Sequence, residues 1–83
     1  MRLFDLTHNQ LPALLNLADA ADKVLLRQEA VYLMKSPLLK NLPCAMYCLA
    51  TDAAARGVII SEPFTALNDS QWFALVLQAK QQL

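Results

Sequence analysis

Short apolar runs alternate with stretches of helical spacing along the whole chain. Arg2 to Leu6 (RLFDL) mixes polar and apolar positions as a strand with one better-buried face does. Thr7-His8-Asn9 follows as a turn with capping capacity, and Pro12 suits the first turn of a helix, where its missing N–H does little harm. Leu14, Leu15, Leu17 and Ala18 give that helix an apolar side, and residues 19–22 close it. Lys23 to Arg27 (KVLLR) holds three apolar residues in a row, the mark of a parallel strand covered on both faces. From Glu29 to Lys40 the pattern is helix-compatible but broken at Ser36-Pro37, which predicts one short helix and then a second turn or two. Cys44 to Ala50 (CAMYCLA), bounded by Pro43, is the third apolar run and the predicted central strand.

Beyond it, Thr51-Asp52 supplies an N-cap for a short helix, and Arg56-Gly57 ends that helix with a cation and a glycine. Phe64 to Leu67, just after Pro63, is the fourth strand. The last helix starts at Asn68 or Asp69, with Asn68 and Gln71 spaced as a capping box. Trp72, Leu75, Val76, Ala79 and Leu83 make one core-facing stripe. Phe73 and Leu77 form a second apolar pair displaced from it. They either widen the buried face or, with the rim of Trp72, offer an apolar surface to another subunit. Strands alternating with helices predict an α/β fold, a small, mostly parallel β-sheet of four or so strands with right-handed crossovers and helices on both faces. No repeat or linker interrupts residues 1–83, so they are expected to form a single domain.

Composition changes this picture in one respect. In 83 residues the apolar fraction is 57 % and the charged fraction 17 %, against about 25 % charged in an ordinary soluble protein. A core this small cannot hide that much apolar material, so part of it is expected at an interface. Seven basic and seven acidic residues are scattered without a cluster, which argues against strong direct nucleic-acid binding. No apolar run approaches the roughly twenty residues of a membrane helix, and nothing near Met1 reads as a signal peptide, so the cytoplasm is the expected location.

The candidates for chemistry are few. Cys44 and Cys48 are the two thiols. On a strand they share a face at about 13 Å, beyond disulfide reach; on a helix they would be neighbours. Two buried core thiols are one reading, since free cysteine packs as a small hydrophobe. The other has Cys48 facing the crevice at the carboxyl end of its strand and carrying a persulfide. His8 lies at the same edge, as a turn residue, a cap, or a partner for Cys48. A lone histidine makes no metal cluster, and no cofactor is expected. Gly57 is the only glycine, so no glycine-rich phosphate loop exists and dinucleotide or nucleoside-triphosphate binding is not expected.

Three segments resemble the TusB/DsrH family. Val24 to Tyr32 (VLLRQEAVY) resembles its second strand and the "QDGV"-like segment after it, with Glu29-Ala30 in place of the acidic-glycine pair. Pro43 to Gly57 (PCAMYCLATDAAARG) is similar to its "VYAL-x-x-D-x-x-ARG" stretch, Tyr47, Leu49, Asp52 and Ala55-Arg56-Gly57 matching in spacing. Phe64 to Trp72 resembles its closing "I-x-x-Y-x-x-F" strand and last helix. The resemblance implies a DsrE/F/H-like fold and a place in a hetero-oligomer with TusC/TusD- or DsrE/DsrF-like subunits. That complex would relay persulfide sulfur between carriers of the TusA and TusE type, towards 2-thiouridine at the tRNA wobble position. It also implies that the relay cysteine belongs to the TusD/DsrE paralogue, leaving this chain a non-catalytic subunit. Three alternatives stay open: a sulfurtransferase subunit using Cys48, a DsrH-type subunit in sulfur oxidation, and an unrelated α/β interaction module.

Overall fold

Val24, Leu25 and Leu26 are wholly shielded from solvent because they occupy the middle of a parallel sheet. The computed structural model describes residues 1–79 and the backbone of residues 81 and 82. Its strands are β1 (Arg2–Leu6), β2 (Lys23–Leu26), β3 (Ala45–Leu49), β4 (Phe64–Leu67) and β5 (Gln81–Gln82). They lie in the order β4-β3-β2-β1-β5 with every neighbouring pair parallel. In register, Phe4, Val24, Met46 and Phe64 run across one face, and Asp5, Leu25, Tyr47 and Thr65 across the other.

Strand order decides which helices cover which face. From β1 to β4 the chain always steps the same way across the sheet, so right-handed crossovers place all three connections on one side. These are a 3-10 helix (Ala13–Leu17), a second 3-10 helix (Gln28–Lys35) followed by α1 (Pro37–Lys40), and α2 (Ala50–Ala55). They bury Leu15, Val31, Met34, Leu39 and Ala53 against Phe4, Leu6, Val24, Leu26, Met46 and Phe64. The return from β4 to β5 runs the other way and carries α3 (Asp69–Gln78) onto the opposite face. There Leu75 meets Leu3, Leu25 and Leu67, with Trp72, Val76 and Ala79 packed alongside. The predicted inward residues Trp72, Leu75, Val76 and Ala79 all pack on this face, but the helix is shorter than its stripe suggested: it ends at Gln78 with Ala79 as an extended C-cap, the chain continues into β5, and Leu83 lies outside the described residues.

Several details differ from the sequence reading. The centre of the sheet is β2, not the Cys44–Ala50 strand, because β5 adds a strand beyond β1. Two glutamines with no apolar run gave β5 no signature. Strand β1 is covered on both faces, Leu3 to one side and Phe4 and Leu6 to the other. Pro12 is the extended N-cap of the first helix, not part of its first turn. That connector is one tight 3-10 turn, the usual form of so short a bridge, and of its leucines only Leu15 is buried, Leu14 and Leu17 being exposed.

The helix ends show why these residues stop and start where they do. Leu49 is the N-cap of α2 and no side chain caps it, so Thr51 and Asp52 fall within its first turn. Its end follows the glycine signal: Gly57 sits at φ +66, Val58 N donates to Ala53 O at 2.9 Å and Gly57 N to Ala54 O at 3.2 Å. That pair of bonds is the Schellman closure. At α3 the capping box is complete, Gln71 N donating to Asn68 Oδ1 at 2.8 Å and Asn68 N to Gln71 Oε1 at 2.9 Å.

Leu25→Ala removes a fully buried side chain from between the two layers and is expected to cost about 3 kcal/mol in urea denaturation. Gly57→Ala should cost about 1 kcal/mol. A Cβ there meets nothing within 4 Å, so the loss would be conformational.

Candidate functional site

In parallel α/β sheets, ligands bind outside the carboxyl ends of two adjacent strands whose connections leave to opposite faces. Here those strands are β3, followed by α2 on one face, and β4, followed by α3 on the other. This crevice is bridged by the chain itself, the Thr51 hydroxyl lying 3.4 Å from Asp69 Oδ1. The N-terminus of α3 is occupied by its own capping box.

Next to it the carboxyl edge is tied by a second polar assembly. Arg27, at the end of β2, donates from Nε to Asp5 Oδ1 at 2.7 Å and from Nη2 to Asp5 Oδ2 at 2.8 Å. The guanidinium also lies 4.7 Å from the centroid of the Trp72 ring. Carboxylate and indole together hold the planar fork, and a two-point bond of this kind fixes orientation as well as charge. One residue on, Gln28 adopts φ +52, the left-handed region that side chains rarely enter. Its backbone N–H donates to Asp52 Oδ2 at 2.7 Å, and Arg56 Nη1 reaches the Asp52 carbonyl at 3.4 Å. The motif aspartate therefore pins the turn after β2. The turn needs its unusual φ at Gln28 and not at Ala30, which is fully buried and tolerates a methyl group.

Both thiols face away from this edge. Cys48 is wholly buried in the core beneath the three-connection face, as in the reading of two packed core thiols; the alternative, in which it lines the crevice, is corrected, because alternation along β3 turns its side chain inward beside Met46. Burial, helped by the nearby Asp52 charge, pushes its pKa up to about 11, leaving roughly one thiolate in ten thousand at neutral pH. Cys44 lies just before β3, is also buried and is likewise raised by desolvation. Leu49 O, 3.9 Å away, accepts the only hydrogen bond of the Cys48 thiol among the described residues. His8 is exposed, with Nδ1 3.2 Å from Thr7 Oγ1, on the wall of a shallow cavity of about 300 Å³ with Asp5, Gln10 and Pro12. The structure does not bring Cys48 and His8 together.

The other candidates lie on α3. Phe73 and Leu77 point to solvent, 63 % and 71 % exposed, while Trp72 is half-buried, its ring shared between Arg27 and the packed face. At the amino edge stands a cluster that sequence spacing did not reveal. Arg2 donates to both oxygens of the buried Asp22, from Nη2 at 2.7 Å, Nε at 3.2 Å and its backbone N–H at 3.1 Å, and Asp19 N adds a fourth bond at 3.0 Å. The Arg2 guanidinium, then the Asp19 amide, hold the Asp22 carboxyl well below the usual carboxylate range. Its signal would have been an acid just before an apolar strand, but 20 residues separate the partners and no period links them. Among the described residues, no group of three or more metal-ligating side chains occurs, and no helix is long and apolar enough to cross a membrane.

A glycine-poor parallel sheet, bridged at its switch point and with its thiols packed inward, defines a small α/β protein. The chain belongs to the DsrH-like family, whose description as DsrH like protein matches residues 5–82. It is 37 % identical over 83 residues to Protein TusB of Yersinia pestis (strain Pestoides F), covering 92 % of this chain and 87 % of that one. Protein TusB of Yersinia pseudotuberculosis serotype O:1b (strain IP 31758) matches to the same extent. Among solved structures, protein Tm0979 of Thermotoga maritima superposes with a TM-score of 0.69 at 25 % identity, over 93 % of this chain and 92 % of that one.

Asp52→Ala is expected to lower stability by about 2 kcal/mol, the scale of a lost hydrogen bond to a charged group, and Gln28→Gly in that background should recover part of it. Urea titration of the single and double variants checks both. For Asp22 the sign follows from its depressed folded-state pKa: its stabilisation is present above the unfolded value of about 4 and lost as acid protonates the folded carboxylate. Asp22→Asn should therefore be less stable than the parent at pH 7, and thermal melts should show the gap closing below about pH 4.

Proposed function

We propose that this chain is a non-catalytic structural subunit of a cytoplasmic sulfur-relay complex, which passes persulfide sulfur towards 2-thiolation of the tRNA wobble uridine. The observation that carries the proposal is the burial of both thiols, Cys48 with its pKa pushed up to about 11, in a chain of the DsrH-like family. A persulfide carrier needs an accessible thiolate, and in this reading that group resides on a TusD- or DsrE-like partner. Relatives bearing the name TusB favour the tRNA branch over a DsrH-type role in sulfur oxidation. Residues 1–83 act as one domain in this role. Partner subunits of the TusC/TusD or DsrE/DsrF kind dock on the outer side of α3, where Phe73 and Leu77, one turn apart, leave a ridge of exposed apolar surface beside Trp72. Carriers of the TusA and TusE type reach the chain only through that complex.

Co-expression with TusC- and TusD-like chains, followed by native mass spectrometry with thiols unblocked, tests the assignment. The expected result is a stable hetero-oligomer with extra sulfur mass on the TusD-like chain alone. Sulfur on this chain that disappears in Cys48→Ala would reject the non-catalytic role. Phe73→Glu with Leu77→Glu should abolish assembly while leaving the circular dichroism spectrum unchanged.

A further inference from the structure

On the sheet face opposite α3, the second 3-10 helix and the segment leaving α2 enclose a cavity of about 510 Å³. Its apolar lining includes Met34, Val58 and Ile59, and its polar side includes Lys35 and Arg56, with no carboxylate among the lining residues. The wall is already fixed. The Schellman closure ends α2, and Ser61 N donates to the Met34 thioether at 3.4 Å. Neither Lys35 nor Arg56 makes an ion pair among the described residues, whereas Arg2 and Arg27 are both engaged. Glu29 and Glu62, the exposed acids on the same two segments, are not among the lining residues.

Size and exposure indicate the kind of occupant. The volume falls within the range of small-ligand sites, which bury most of their ligand. Yet Ile59 is 87 % exposed and Tyr32 49 %, so much of the apolar surface lies at the rim, where a molecule confined to the cavity would leave it wet. A chain that fills the cavity and continues across the rim covers both. We propose that this cavity docks an acidic peptide segment of another protein, one bulky apolar side chain entering between Met34 and Val58 while flanking carboxylates meet Lys35 and Arg56. The site lies across the sheet from Phe73 and Leu77, so it would serve a partner distinct from those that cover α3.

Amide chemical shifts of the ¹⁵N-labelled full chain, titrated with two probe peptides, acetyl-DEFLDE-amide and acetyl-KKFLKK-amide, test the assignment. The acidic peptide should shift the amides of residues 31–35 and 56–61 saturably, and its affinity should fall as salt rises. Lys35→Glu with Arg56→Glu, and separately Ile59→Asp, should each weaken it at least tenfold; Ile59 is exposed enough that its variant leaves the fold intact. The proposal is overturned if neither peptide moves these amides, or if the basic peptide moves them equally. It is equally overturned if they shift with protein concentration alone, which would make the occupant a second copy. Saturation by sodium dodecanoate but not by the acidic peptide would make it a small amphiphile and overturn it too.

Discussion

Everything in this fold hangs on the burial of β2 from both sides. Val24, Leu25 and Leu26 have no exposed surface, and burying three such side chains is worth about 6 kcal/mol before entropy is counted. That is comparable to the whole net stability of a small domain. It requires a layer on each face at once. Three connections supply one layer and α3 alone supplies the other, so the strand order that sends α3 across the sheet is as necessary as the apolar residues themselves.

The same strand order creates the edge where α/β proteins usually work, and here that edge is used for holding the structure together. Arg27 is held between Asp5 and Trp72, Gln28 is held by Asp52, and Thr51 meets Asp69. The Arg27–Trp72 and Thr51–Asp69 contacts join α3 to segments that lead to the opposite layer, whereas Arg27–Asp5 and Gln28–Asp52 tie together segments on the three-connection side. Large apolar side chains stand exposed elsewhere, Phe73 and Leu77 on α3 and Ile59 on the segment that follows α2. A protein with this distribution is suited to assembly, which accords with the proposed role as a subunit that supports a sulfur relay carried out by its neighbours.

Much of the fold was legible in the chain, and the misses share a cause. KVLLR read correctly as a strand buried on both faces because three consecutive apolar residues have no other use in a short segment. Asn68 and Gln71, and Gly57 after Arg56, marked helix ends because capping is local chemistry with a fixed spacing. The first connector misled because its leucines suggested a helical face, while a bridge five residues long had room to bury only Leu15. Strand β5 went unseen because Gln81-Gln82 offers no apolar run to mark a strand, and its pairing with β1 joins opposite ends of the chain. Displacement from the α3 stripe separated Phe73 and Leu77 from the buried face, and both are exposed, whereas Cys48 could be placed on a strand but not on a face.

The sequence by itself determined the α/β class, the positions of β1 to β4, the N-terminal cap of α3 and the family, since these depend on neighbours a few residues apart or on a motif carried whole. Only the tertiary structure decided that Asp52 holds Gln28, that Asp5 and Arg27 meet across 22 residues, that Arg2 and Asp22 meet across 20, and that Cys48 turns inward. A contact between distant segments depends on which strands pair and in what register. A shift of one residue in that pairing would exchange the two faces of β3 and bring Cys48 to the other side of the sheet.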